Sequence, residues 1–310
     1  MLWWLIWSAL AGPALTTRDM TGSRVAALQT SEKSADMIVV YASEQHGEIG
    51  PCGCNDYPMG GMARIERYAD RLTKRETDAV VLKLYAGGAF LPPISSRNLL
   101  THTLQRHQNE AMAEVLERGG WDAVNLTCDD LESDRSWALP SGALSTNVTR
   151  LGGDLSSRQV IERGGVTTLV LGVTGSCDGG AQREGWLVSE PLRAVQDALA
   201  VREEHIDRVV VLTHRVGDAV SSIARLDGVD IVIESDGFTA RYPPVVPSGR
   251  AVWVRTWQEA ERLGELRLDW DNEGKLLHAQ DSAIGLAPGL RGTRWVERLV
   301  DEVATSGGPG

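Results

Sequence analysis

From residue 36 onward, short runs of β-branched and other apolar residues alternate with longer stretches whose apolar positions recur at helical spacing. A short apolar run fits a strand buried on both faces, and the longer stretches fit amphipathic helices. Their alternation is the pattern of parallel strands joined by crossover helices and predicts a layered α/β fold. Residues 37–42 (MIVVYA) predict the first buried strand, followed by a Gly- and Pro-rich loop and a helix over residues 62–74. A second strand is expected at 80–84, then a helix over 100–118 with apolar residues at Leu104, Met112, Val115 and Leu116. Gly119-Gly120 is a good stop for that helix. Further strands are expected at 123–126, 143–148, 167–173, 209–213 and 230–233. A helix over 190–204 would be capped by Ser189, with Pro191 in its first turn. Residues 251–255 and 263–270 predict an antiparallel pair, and 305–310 a disordered tail.

A chain of 310 residues, 42% of them hydrophobic, can bury one large core, and no composition break after residue 35 marks a second domain. Thirty-one Lys and Arg stand against 42 Asp and Glu, a net charge of −11 with no basic stripe. That excludes nucleic acid as a partner, because binding a phosphate backbone needs a cationic face. Residues 1–17, MLWWLIWSALAGPALTT, form an apolar run that ends in small residues and is too short to span a bilayer comfortably. They predict a signal peptide and an exported protein, periplasmic or extracellular. No Lys or Arg precedes Arg18, which leaves open a misassigned start or an interfacial anchor held by Trp3, Trp4 and Trp7. Any membrane contact is through this segment. Residues 18–35 are polar and read as a linker, 36–285 as the folded domain, and 286–310 as a short helix and tail.

In an open α/β sheet, ligands sit beyond the carboxyl ends of the strands, so the residues after each apolar run are the candidates for chemistry. They are Ser43-Glu44-Gln45-His46-Gly47, Tyr85-Ala86-Gly87-Gly88, Thr127-Cys128-Asp129-Asp130, Thr213-His214-Arg215 and Glu234-Ser235-Asp236-Gly237-Phe238. This succession resembles the calcineurin-like metallophosphatase superfamily, and most closely its 5'-nucleotidase branch. Gly50-Pro51-Cys52-Gly53-Cys54 followed by Met59-Gly60-Gly61-Met62-Ala63-Arg64 is similar to a secreted bacterial subgroup with a PCGC loop. The resemblance runs over residues 37–269 and includes Gly119-Gly120-Trp121-Asp122 and Ser145-Thr146-Asn147. It implies an α/β/β/α sheet sandwich flanked by helices, and leaves the carboxy-terminal domain of full-length 5'-nucleotidases without a counterpart in this sequence.

The resemblance also implies two divalent metals about 3.5–4 Å apart, which activate a hydroxide for phosphoester hydrolysis. On that pattern the first-motif Asp falls on Glu44 and its His partner on His46, while the bridging Asp falls on Gly88, which has no side chain to share between two ions. The Asn-His pair falls on Cys128 and Asp129, so Asp129 stands at the general-acid position. The lone strand-end His is kept as His214, and Gly-His-x-His falls on Ser235-Asp236-Gly237-Phe238, where Phe238 cannot ligate.

Two readings follow. In one, Cys128, His214 and Asp236 have changed together into a mononuclear site joined by Glu44 and His46, holding zinc, manganese or iron. A small phosphoester or nucleotide would then be hydrolysed. In the other, the residues are remnants, no metal is bound, and the protein is a non-hydrolytic binder of a ligand or partner. Cys52 and Cys54 are too close in sequence to pair with each other without strain. Either they recruit a soft metal or a redox partner, or one of them is bonded elsewhere. His102, His107 and His205 fall on predicted helices and read as surface residues, and the sequons at Asn125 and Asn147 fall on predicted buried strands. Nothing in the sequence indicates a protein partner.

Overall fold

The computed structural model describes residues 24–25, 35–51, 57–92, 99–132, 138–150, 155–175, 186–235, 251–257 and 262–306. The first half comprises β1 (Arg24–Val25), β2 (Met37–Ala42), α1 (Met62–Arg75), β3 (Val80–Tyr85), α2 (Leu99–Arg118), β4 (Ala123–Asn125), α3 (Cys128–Glu132), β5 (Ala143–Leu144) and β6 (Val148–Arg150). There follow β7 (Gln159–Arg163), β8 (Val166–Thr174), β9 (Trp186–Val188), α4 (Pro191–Ala200), β10 (Arg208–His214), α5 (Ala219–Ile223) and β11 (Ile231–Ser235). The chain closes with β12 (Val252–Arg255), β13 (Arg262–Trp270), β14 (Leu276–Gly285) and α6 (Arg294–Ser306).

The strands form a seven-stranded sheet in the order β1-β14-β13-β2-β3-β4-β5 and a five-stranded sheet in the order β12-β11-β10-β8-β7. Strands β2 to β5 run parallel, as do β8, β10, β11 and β12, while β13 pairs antiparallel with both β2 and β14. Every residue of β2 is buried, and its two faces serve two cores. Met37, Val39 and Tyr41 meet Val170, Val210, Leu212, Ile231 and Ile233 between the sheets. Ile38, Val40 and Ala42 face a layer that includes Ile65 and Leu72 of α1, Met112 and Val115 of α2 and Val296 of α6. On the outer side of the second sheet, Leu169, Leu171, Val209 and Val211 pack with Val195 of α4 and Val220 and Ile223 of α5. The layers therefore stack α/β/β/α, as expected. A strand covered on both faces reads as an unbroken apolar run, which is why β2, β3, β8 and β10 are so visible in the sequence.

Several expected elements differ. The 143–148 run is two strands: β5 ends the first sheet, whereas β6 pairs antiparallel with β9. Strands β12 and β13 do not pair with each other, since β12 lies at the edge of the second sheet beside β11 and β13 is inside the first. Helix α4 ends at Ala200 and is capped by Glu190, whose side chain accepts from Leu192 N and Arg193 N. Ser189 is occupied instead with Asn147, through both its N–H and its hydroxyl. Strands β7, β9 and β14 carry no clear signal in the sequence; β7 and most of β14 are only half covered, so no apolar run marks them. Helix α6 continues to Ser306, into the segment expected to be disordered, and β1 pairs with β14 from within residues 18–35. The leader reading of residues 1–17 lies outside the described residues. Among the described residues no helix is long and apolar enough to cross a membrane.

Candidate active site

The site lies where the two sheets present their carboxyl ends together. The loops after β2 and β3 are zipped by backbone hydrogen bonds, Glu44 N to Gly87 O at 2.9 Å, His46 N to Gly88 O at 2.9 Å and Gly47 N to Ala89 O at 2.8 Å. From the other sheet, Arg215 N donates to Ser235 O and Gly175 N to His214 O, both at 2.8 Å. These turns put Glu44 (φ 59°), His46 (φ 47°) and Arg215 (φ 49°) in the left-handed region, and they are the only non-glycine residues with positive φ among those described. Left-handed backbone at such residues costs about 1–3 kcal/mol each and persists only where the surroundings enforce it. All three meet at one carboxylate.

That carboxylate is Glu44, which is 3% exposed. Its Oε2 lies 2.9 Å from His46 Nε2 and 3.6 Å from the Arg215 guanidinium, and its Oε1 lies 3.0 Å from His214 Nε2. Ser235 donates its hydroxyl to the same Oε1. The His214 contact is close but not aligned as a hydrogen bond, since its Nε2 has no partner of hydrogen-bond geometry. On the other side of the ring, His214 Nδ1 is 3.3 Å from Thr174 Oγ1. Burial alone would raise the Glu44 pKa, but the contacts with His214, His46 and Ser235 outweigh it and hold the carboxyl far below its ordinary range. The same pairing raises the pKa of His46, with the hydrogen bond to Glu44 the largest cause.

Gly88 (φ 67°) closes the floor. A Cβ there would stand 2.9 Å from Glu44 Oε2 and 3.1 Å from its Cδ, so the Glu44 carboxylate fills the space that a side chain on residue 88 would enter. Gly87 is constrained similarly by Thr127 at 2.8 Å and the His214 Cβ at 3.0 Å. Asp130 sits deeper, fully buried, accepting from Phe90 N and from both the N–H and the hydroxyl of Thr127, and burial raises its pKa. It fastens α3 to the β3 loop rather than facing the cleft.

Of the residues singled out in the sequence, Glu44, His46 and His214 converge, and Asp129 borders them through a 3.8 Å contact with Arg215. Cys128 does not serve as expected: it is disulfide-bonded, so its sulfur is no thiolate for a metal. Cys52, Cys54, Asp236 and Phe238 lie outside the described residues. Among the described residues, no group of three or more His, Cys, Asp or Glu is arranged to hold a metal ion. The two-metal centre does not fit here: the bridging position is a glycine, and the carboxylate that fills its space is taken up by His46, His214, Ser235 and Arg215. Sequence reasoning missed Arg215 and Ser235 as site residues, although each stands in a strand-end cluster beside a candidate. Asn125 and Asn147 are buried as expected, and their amides bind backbone carbonyls.

No protein-family model and no curated protein matches the sequence. Solved structures do match. A 5'-nucleotidase precursor from Thermus thermophilus is 21% identical, with a TM-score of 0.65 over 87% of this chain and 58% of that one. The sulfate thiohydrolase SoxB, also from Thermus thermophilus, is 17% identical, with a TM-score of 0.68 over 89% and 62%. The NAD nucleotidase of Haemophilus influenzae is 16% identical, with a TM-score of 0.62 over 87% and 56%. The chain thus corresponds to about three fifths of the length of these proteins. At such identities the likeness is one of architecture: the chain shares the layered α/β fold of these solved structures.

Proposed function

We propose that this protein is an exported member of that fold which does not hydrolyse through a two-metal centre and instead binds a ligand or partner in the cleft at the strand ends. The observation that carries the reading is the pairing of Gly88 with Glu44. The position that the family resemblance gives to a bridging carboxylate has no side chain, and a Cβ there would press within 2.9 Å of Glu44 Oε2. A small phosphoester or nucleotide is the ligand class suggested by the nucleotidases of like fold. Export is supported by the apolar opening of the sequence and by the disulfide at Cys128, since disulfides persist in oxidising compartments.

Nucleotide and phosphodiester hydrolysis, measured with manganese or zinc added, is the test. The expected result is no turnover; turnover that disappears in both His46→Ala and His214→Ala would overturn the reading. The gathering of Glu44, His46 and His214 favours a second reading, a phosphoester hydrolase with one altered metal site that also draws on Asp236. Metal analysis of the purified chain separates the two: stoichiometric zinc, manganese or iron supports the second, and its absence removes it.

A further inference from the structure

Without a two-metal centre, cationic charge facing the cleft has to come from side chains, and one of them is built for the task. Arg215 follows the last residue of β10 on a left-handed turn, with its N–H held by Ser235 O at 2.8 Å. The turn closes only because residue 175 is glycine, since a Cβ there would lie 2.0 Å from the Arg215 carbonyl oxygen. The backbone therefore fixes where the guanidinium starts, unlike that of an ordinary surface arginine.

The side chain is 43% exposed, and its contacts with Glu44 Oε2 at 3.6 Å and Asp129 Oδ2 at 3.8 Å are beyond hydrogen-bond reach. None of its five N–H groups donates a hydrogen bond to any described residue. His46, 34% exposed, leans on the same Glu44 oxygen and forms the neighbouring wall. Glu44 itself is turned inward and engaged by the two histidines and Ser235. The result is a planar fork of unused donors, held in place by two carboxylates that orient it without satisfying it, beyond the carboxyl ends of the strands.

We propose that Arg215 anchors a metal-independent oxyanion site at the mouth of this cleft, taking two oxygens of a phosphate or carboxylate group on its guanidinium. A fork of this shape matches such a group bidentately and stays charged at any working pH. The assignment deepens the non-hydrolytic reading of the same cleft and rests on it. Asp129, half-buried beside the guanidinium, opposes the incoming anion, so binding is modest in the native protein.

The test is calorimetric titration of the full chain, held in chelator, with inorganic phosphate in one arm and acetate in the other. Saturable binding in either arm is expected, and the stronger arm names the group. Arg215→Asn, which tolerates the left-handed backbone, lowers the affinity by roughly tenfold or more, the size of a lost charge-assisted hydrogen bond. Arg215→Lys recovers only part of it, and Asp129→Asn tightens binding. No binding of either anion, or equal binding by wild type and Arg215→Asn, overturns the proposal. Because the titration is free of metal and of turnover, its failure is distinct from the finding of hydrolysis that would overturn the functional reading.

Discussion

Glu44 is a buried carboxylate that stays ionised because two imidazoles and a hydroxyl surround it, and that pairing makes stability depend on pH from both sides. Its folded pKa is lowered, so its contribution is present above the ordinary carboxyl value near 4.5 and is lost as the pH falls below it. The His46 pKa is raised, so its contribution is complete below the ordinary value near 6.5 and is lost as the pH rises through the raised one. Urea unfolding across this range should give greatest stability at mildly acidic pH, and the decline on the alkaline side should flatten in His46→Asn. A second expectation concerns Gly88. Gly88→Ala should destabilise by about 1–3 kcal/mol, from left-handed strain and contact with Glu44, and the loss should shrink when Glu44→Asp is added. The sequence makes the histidines and glycines of this site legible as candidates, since they follow apolar runs. It does not reveal that Glu44 reaches over residue 88, because that depends on side-chain direction across two strands.

Elements are most legible where both faces are covered, as in β2 and β3, or where one apolar stripe is long, as in α1. Periodicity places α1 correctly but does not show that a charged residue sits on its covered face. Glu66 lies on the buried side of α1 and is 2% exposed, bound by Lys83 Nζ and Trp121 Nε1 at 2.7 Å each. Burial raises its pKa, with Lys83 opposing. Glu66→Ala removes the carboxylate that neutralises the buried Lys83 and leaves its Nζ only the Gly119 carbonyl and the Trp121 ring, for which a loss of about 3–5 kcal/mol is expected. Replacing both partners by apolar residues should lose much less, and denaturant unfolding of the single and double variants measures the difference. The Ser189 prediction fails for a related reason. Capping propensity is local, and this hydroxyl is drawn away by the Asn147 carbonyl, in the bend just before β6.

At the scale of the molecule, the two sheets are joined by polar ties as well as by packing. Asn125, at the end of β4, donates to Ala86 O at 3.0 Å in its own sheet and to Val173 O at 3.1 Å in the other. Asn125→Leu strands two buried carbonyls and should destabilise by about 1–3 kcal/mol each. Because these carbonyls belong to the strand ends beneath the site, hydrogen exchange should also quicken at Gly87 and His214. The pairing of β13 carries a different consequence. It enters the first sheet between β14 and β2, so the edge of β2 has no partner until residues 262–270, far later in the chain, have been made. Contacts of such sequence separation form slowly, and an unfilled strand edge invites other chains. Time is therefore part of this architecture: during synthesis the amino-terminal strands are complete long before the strand that seals them exists.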